Sequence, residues 1–220
     1  MVKAKVIAAD TSTAITVEEI EQFVIDAGSD HVPTFGGKYE GGMQIQQIPD
    51  EIAPCIMAIL KSGEPIKNYL EIGVAAGGMV ALINHYFHPG KIVLIDDNAH
   101  PKHHIRPYVL DGIERTEIIG HSQAQGTLDV LKSLEIEAFD LIMIDGDHSY
   151  PGVSKDVKMY RDFLRPGGFL ILHDSVLPEA GVRQVVADLK KGKVMNFIAE
   201  YLTAKHARPC GVALFQKGAE

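Results

Sequence analysis

From residue 68 onward, short apolar runs alternate with amphipathic stretches of helical period, which confines the chain to strand–helix–strand units wound into a mostly parallel sheet. A strand buried on both faces has no polar side to present, so it reads as an unbroken apolar run, and the crossover helix carries the polarity. The pattern predicts strands at Asn68–Ile72, Lys91–Ile95, Thr116–Ile119, Phe139–Ile144, Phe169–His173, Val194–Ala199 and Gly211–Gln216. Helical periodicity fills the gaps at Met79–Phe87, Ala124–Leu134, Gly152–Leu164 and Glu179–Lys191, the last closed by Gly192. The stretch from Asn98 to Tyr108 has no clear period. Upstream, Thr16-x-x-Glu19 fits a capping box leading into Ile20–Ala27, and Asp50 is expected to cap a helix running to Lys61 with Gly63 beyond. Between those helices, Gly36-Gly37 and Gly41-Gly42 bracket Lys38-Tyr39-Glu40, which suits a mobile loop over a site and an irregular surface connection equally. The expected organisation is an N-terminal helical segment with a lid over residues 1–63, continuous with an α/β unit over 64–220 in one compact domain.

Composition narrows the class. With 46% hydrophobic and 23% charged residues over 220 positions, the chain can bury one substantial core. Its 21 Lys and Arg against 29 Asp and Glu, a formal charge of -8, leave no general basic surface for nucleic-acid phosphates, so a small-molecule partner is expected. No run approaches the roughly 20 apolar residues of a membrane span, and the first ten residues lack a secretory apolar stretch, so no membrane partner and a cytoplasmic location are expected. A homo-oligomer is compatible with all of this. Cys55 and Cys210 have no C-x-x-C partner and read as packing residues.

The first strand carries the sharpest motif, Tyr69-Leu70-Glu71-Ile72-Gly73-Val74-Ala75-Ala76-Gly77-Gly78. A carboxylate ending a buried strand needs a hydrogen-bonding partner, and Gly73 and Gly77 let the backbone turn sharply where a ligand approaches. Dinucleotide sites usually show G-x-G-x-x-G. Gly73-x-x-x-Gly77 with Glu71 two residues earlier favours S-adenosylmethionine over a nicotinamide cofactor, although a plain glycine turn fits as well.

In open α/β sheets ligands sit beyond the carboxyl ends of the strands. Each of the first five predicted strands ends in hydrogen-bonding groups: Glu71 and Gly73; Asp96-Asp97; His121-Ser122-Gln123; Asp145-Gly146-Asp147-His148; and His173-Asp174-Ser175. Asp96 follows Glu71 by 25 positions (96 minus 71), near the roughly 20-residue offset at which an acid meets ribose hydroxyls, with Asp97 the alternative that strand register must separate. Asp145 and Asp174 end two strands expected to be neighbours, about 4.8 Å apart, where both carboxylates can converge on a magnesium ion. His173 adds a nitrogen that shifts preference toward manganese or iron. The same acids also suit helix and turn caps. Asp147 and His148 are candidates for a base, histidine needing little tuning near neutral pH. The cluster of His100, His103 and His104 reads as a solvated loop, and Tyr150, Tyr39 and His104 are weak candidates for a substrate pocket.

On these residues the chain resembles the class I S-adenosylmethionine-dependent methyltransferases from about Gly41 to the C-terminus. Glu71-x-Gly73-x-x-x-Gly77-Gly78 resembles the family's first motif, Asp96 its ribose acid, and Leu164-Arg165-Pro166-Gly167-Gly168 the turn before its fifth strand. Gly120-His121-Ser122-Gln123 is similar to the adenine-contacting segment of catechol-type O-methyltransferases, and the stretch from Phe139 to Tyr150 with His173-Asp174 resembles the branch acting on antibiotic sugars. The resemblance implies a doubly wound, Rossmann-like seven-stranded α/β sheet with the last strand antiparallel, and O-methyl transfer to a small-molecule hydroxyl assisted by a divalent cation. Glu71, Gly73, Gly77, Asp96, Ser122, Gln123 and Asp145 then contact the cofactor; Asp145, His173 and Asp174 hold the metal; Asp147 or His148 is the base. Relatives commonly carry a carboxylate or amide where this chain has His173 or Ser175, which weakens magnesium more than the cofactor. The competing readings are a nicotinamide-dependent oxidoreductase, disfavoured by the missing G-x-G-x-x-G, and a non-catalytic cofactor-binding module.

Overall fold

The computed structural model describes residues 15–29, 42–205 and 208–218. Tyr39 and most of the glycine-bracketed segment around it lie outside these residues. Seven strands, β1 (Asn68–Ile72), β2 (Lys91–Asp96), β3 (Thr116–Ile119), β4 (Phe139–Ile144), β5 (Leu164–His173), β6 (Asn196–Tyr201) and β7 (Val212–Gln216), form one sheet in the order β3-β2-β1-β4-β5-β7-β6. β1 to β5 pair in parallel, and β7 enters antiparallel between β5 and β6. The strand order reverses between β1 and β4, the position where a crevice opens beyond the strand ends.

Period-2 alternation splits the strands between two cores. Tyr69, Leu141, Met143, Phe169 and Ile171 face a layer built from α1 (Val17–Ala27), α2 (Pro49–Ser62) and α3 (Gly78–Phe87), while Leu70, Ile72, Ile142, Ile144 and Leu172 face one built from α5 (Gln125–Ser133), α6 (Tyr150–Tyr160) and α7 (Val182–Gly192). The N-terminal helices thus share a core with the sheet. All six residues of β4 are buried, which is why the run is apolar apart from Asp140, whose Oδ2 accepts from the Lys67 and Asn68 N–H groups at 2.8 Å.

The expected capping box is present: Thr16 Oγ1 accepts from the Glu19 N–H at 3.2 Å, and Glu19 Oε2 from the Thr16 N–H at 2.8 Å. Asp50 is not the cap of α2. Pro49 opens that helix after Ile48, and Asp50 sits in the first turn, its carboxylate accepting from Thr203 Oγ1 at 2.5 Å. Beside it the fully buried Glu51 accepts from the backbone of Thr203 at 3.1 Å and Gly211 at 2.8 Å. This pair ties Thr203 and Gly211 to α2, a long-range link invisible to local pattern. Two other expected boundaries shift. α6 begins at Tyr150 and gives way at Arg161–Phe163 to a 3₁₀ turn, and β5 begins at Leu164, taking in the Arg165–Gly168 stretch expected as a preceding turn. The unreadable Asn98–Tyr108 stretch contains a 3₁₀ turn at Pro101–Ile105 running into the one-turn helix α4 (Arg106–Val109).

Candidate active site

The β1 and β4 exit loops cross so closely that Gly73, at φ 79°, has no room for a side chain: a Cβ there would stand 2.3 Å from the Asp145 carbonyl oxygen. Around this crossing opens a cleft of about 590 Å³, lined by Gly73, Val74, Ala75, Asp96, Asp97, His121, Ser122, Gln123, Asp145 and Asp147, with Gln46 and His100 at its border. That volume lies within the range of small-molecule and cofactor sites. A narrow recess shares Gln46, Gly73, Val74 and Asp145 with the cleft and continues to Gln44, Gln47 and Glu71.

Glu71 is buried at the floor of that recess, and Tyr69, two residues back on the same face of β1, donates its hydroxyl to Glu71 Oε2 at 2.5 Å. Burial pushes the Glu71 carboxyl up to about 8; the Tyr69 hydrogen bond opposes that rise, and the Asp145 charge adds to it.

Asp96 is committed to the protein. Its Oδ2 accepts from the N–H groups of Val74 at 2.6 Å and Ala75 at 3.1 Å, and its Oδ1 accepts from Asn98 N–H at 2.7 Å and pairs with Arg106 Nη2 at 3.0 Å. Burial favours its neutral form, but the Val74 amide, the Arg106 guanidinium and the other amides hold its carboxyl below the ordinary range. Arg106, itself buried, also donates through Nε to the Ala75 carbonyl at 2.9 Å and through Nη1 to Asn98 Oδ1 at 3.1 Å and Glu117 Oε2 at 3.3 Å. It binds the glycine loop to the end of β2 and to Glu117 near the start of β3, and lies hidden in the aperiodic stretch of sequence. Asp97 keeps a side chain 36% exposed, its Oδ2 3.2 Å from His121 Nδ1.

On the neighbouring strand ends, four titratable groups converge. His148 stands between the two expected acids, Nε2 3.2 Å from Asp145 Oδ1 and Nδ1 3.2 Å from Asp174 Oδ2, with 45% of its side chain exposed. His173 is buried and places Nδ1 3.1 Å from Asp145 Oδ1. Gln47, on the segment before α2, donates Nε2 to the other Asp145 oxygen at 2.9 Å. Burial alone would raise the Asp145 carboxyl, but the His173 and His148 imidazoles hold it well below the usual carboxylate range. Burial works against charge on His173 too, yet the Asp145 and Asp174 carboxylates lift it to about 9. His148 is raised chiefly by its hydrogen bond to Asp145. Asp174 adopts φ 59°, a left-handed backbone uncommon for a non-glycine residue and typical of functional sites.

The remaining expected residues divide. Asp147 lines the cleft, but its Oδ1 accepts from the Ser149 N–H at 2.8 Å and its Oδ2 packs against Gly152, so it shapes the entry to α6. Gln123 turns its amide to Asp156 Oδ2 at 3.0 Å and Ser122 Oγ at 3.2 Å. Gly77 opens α3 at φ 87°. Cys55 is a core residue, but Cys210 is not simply one: its ligating atom lies within 4.8 Å of those of His173 and Asp174. Gln47, Arg106 and Cys210 carry no local sequence signal, because each is delivered by a tertiary contact.

Residues 70–175 match a family model described as a methyltransferase domain. An uncharacterized protein of Acanthamoeba polyphaga mimivirus is 26% identical over 148 residues, 61% of this chain and 66% of that protein, so the match spans just under two thirds of the relative. Among solved structures, the O-methyltransferase TomG of Streptomyces achromogenes, involved in tomaymycin synthesis and solved with S-adenosylmethionine, superposes with a TM-score of 0.60 at 18% identity over 76% of this chain and 81% of its own. The MycE methyltransferase of the mycinamycin pathway, solved with magnesium, S-adenosylhomocysteine and mycinamycin VI, gives 0.54 at 19% identity over 92% of this chain and 54% of its own. At such identities the superpositions speak for the fold, while the matched model runs through every strand end from Glu71 to Asp174. Residues 70–175 are accordingly similar to a methyltransferase domain, on a fold shared with O-methyltransferases solved with S-adenosylmethionine.

Proposed function

We propose that this chain transfers the methyl group of S-adenosylmethionine to a hydroxyl of a small molecule held beside Asp145, His148 and Asp174. The observation that carries the reading is the position of His148, an accessible imidazole bracketed by two carboxylates, one of which, Asp145, lines the cleft. Bound S-adenosylmethionine supplies the electrophilic methyl carbon. The chain's part is to align an acceptor oxygen behind that carbon and take its proton. His148 is the better base of the two candidates: its ring sits among the converging carboxylates, whereas the Asp147 carboxylate is turned to the α6 entry. Asp145 and Asp174 stabilise the imidazolium that forms.

Magnesium, expected on Asp145, His173 and Asp174, fits this donor set poorly. It prefers near-octahedral oxygen ligands, and here both carboxylates already lie against imidazoles and the third donor is a nitrogen. No step of the transfer is therefore routed through it.

The ribose hydroxyls fall to Asp97 rather than Asp96, because the four donors on Asp96 leave its oxygens engaged while Asp97 faces the cleft. Asp97→Ala is expected to weaken S-adenosylmethionine by about 1.5–3 kcal/mol, the range for hydrogen bonds to a charged group, with little change in thermal stability. An unchanged affinity by calorimetry would remove Asp97 from the site. The same titration tests the cofactor class: S-adenosylmethionine and S-adenosylhomocysteine bind and NAD does not, and the reverse ranking overturns the proposal.

The amino-acid end of the cofactor lies in the cleft toward Glu71, and its ammonium favours the ionised carboxylate. With Glu71 raised to about 8, binding at pH 7 should release up to one proton. In the free protein the sign is the opposite of a stabilising acid: Glu71 costs stability as pH rises from its ordinary 4.5 to about 8, where only the unfolded chain ionises freely. Calorimetry in buffers of different ionisation heat reads the proton directly; a buffer-independent heat, or equal release from Glu71→Gln, would contradict the assignment.

A further inference from the structure

Asp174 stands between two groups of side chains. On one side are Asp145 and His148; on the other are His173 and Cys210, whose ligating atoms lie with that of Asp174 inside 4.8 Å of one another. The His173 ring is buried, its Nδ1 faces Asp145, and its Nε2 has no partner. A buried polar atom left unsatisfied is costly, and in a folded protein it calls for a ligand or another reason. Cys210 is carried to this place from far along the chain. The Val176 N–H donates to the Cys210 carbonyl at 3.0 Å, and the next residue, Gly211, is pinned by buried Glu51 at 2.8 Å.

We infer that His173, Asp174 and Cys210 form a three-donor site for a divalent transition-metal ion of the zinc, cobalt and ferrous group, and not for magnesium. A thiolate is a soft ligand and an imidazole a borderline one, the combination that selects such ions, whereas magnesium demands oxygen. Nδ1 of His173 lies 3.1 Å from Asp145 Oδ1 and 3.6 Å from Asp174 Oδ1; with that nitrogen held by Asp145, the unpartnered Nε2 is the one assigned to the ion, and Asp145 becomes the carboxylate that orients a ligating histidine. Three protein donors leave a further position open, as in catalytic rather than structural zinc sites. Loading displaces to solvent both the thiol proton and one proton of the His173 imidazolium, and needs no oxidant or reductant. That the ion lies beside the acceptor rests on the methyl-transfer reading; that it binds does not.

The test uses the metal-stripped 220-residue chain titrated with cobalt(II), zinc or magnesium chloride, without cofactor or acceptor. Cobalt at one equivalent should produce thiolate-to-cobalt charge-transfer absorption in the near ultraviolet. Cys210→Ser, with an unchanged circular dichroism spectrum, should lose that absorption. Zinc should bind about 100-fold or more tighter than magnesium, and its affinity should fall about tenfold or more in Cys210→Ser and His173→Ala. Absence of cobalt binding, cobalt bound without the charge-transfer band, or magnesium bound as tightly as zinc each overturns the inference. Should the variants fail to fold, the wild-type cobalt spectrum decides alone. Separate calorimetry with S-adenosylmethionine keeps the outcomes apart, since cofactor binding without metal binding sinks this site and leaves the methyltransferase reading standing.

Discussion

Replacing His148 by alanine is expected to lower the rate of methyl transfer about 10²- to 10⁴-fold, the usual contribution of a positioned general base, while leaving S-adenosylmethionine affinity within a few-fold. The asymmetry follows from position: His148 touches Asp145 and Asp174, whereas the cleft is lined by the glycine loop, the exits of β2 and β3, and Asp145 to Asp147, and not by the His148 ring. The pH profile gives an independent check. A base works deprotonated, and the Asp145 hydrogen bond raises His148 above its ordinary 6.5, so activity should rise with pH through a value above 6.5. Asp174→Asn removes one of the charges behind that shift and should move the rising limb toward lower pH. Single-turnover formation of S-adenosylhomocysteine across pH measures both. If His148→Ala keeps its rate, or its loss appears wholly as weaker cofactor binding, His148 is not the base.

Arg106→Met should destabilise the fold by about 3–5 kcal/mol, the cost of removing one partner from a buried ion pair. Asp96 would keep its three backbone donors but lose the neutralising guanidinium, and the Ala75 carbonyl and Asn98 amide would lose theirs. Because Asp96 holds the Val74 and Ala75 amides in place, cofactor affinity should fall with stability. Arg106→Lys keeps the charge but cannot reproduce the forked contacts, and should recover only part of the loss. Denaturant titration of the three proteins decides: a change below about 1 kcal/mol for Arg106→Met, the range of a surface ion pair, would show that Arg106 does not anchor the loop.

Several parts of the site are legible in the sequence because they are periodic or stereochemically forced. Strand ends fall where apolar runs stop, so Glu71, Asp96, Asp145 and Asp174 can be read as one edge of a sheet. Gly73 announces a turn without room for a Cβ, and the crossing with Asp145 shows why. What local pattern misjudges depends on distant partners. Asp50 looks like a helix cap, yet Pro49 starts the helix and Thr203 claims the carboxylate. Asp96 reads in sequence as the ribose acid with Asp97 as its alternative, and the Arg106 pairing shows Asp96 engaged by the protein while Asp97 stays open. Cys210 looks like packing until Glu51 and Val176 carry its segment to Asp174.

By itself the order of residues determined the α/β class, the seven apolar runs, the glycine turn and the acids at the strand ends, since burial on both faces and the glycine conformation act over a few neighbours. Only the tertiary structure decided which acid is sealed and which is open, which imidazole lies between two carboxylates, and which thiol joins them. Those outcomes hang on contacts between residues dozens to more than a hundred positions apart, and no short-range rule encodes a partner at that distance.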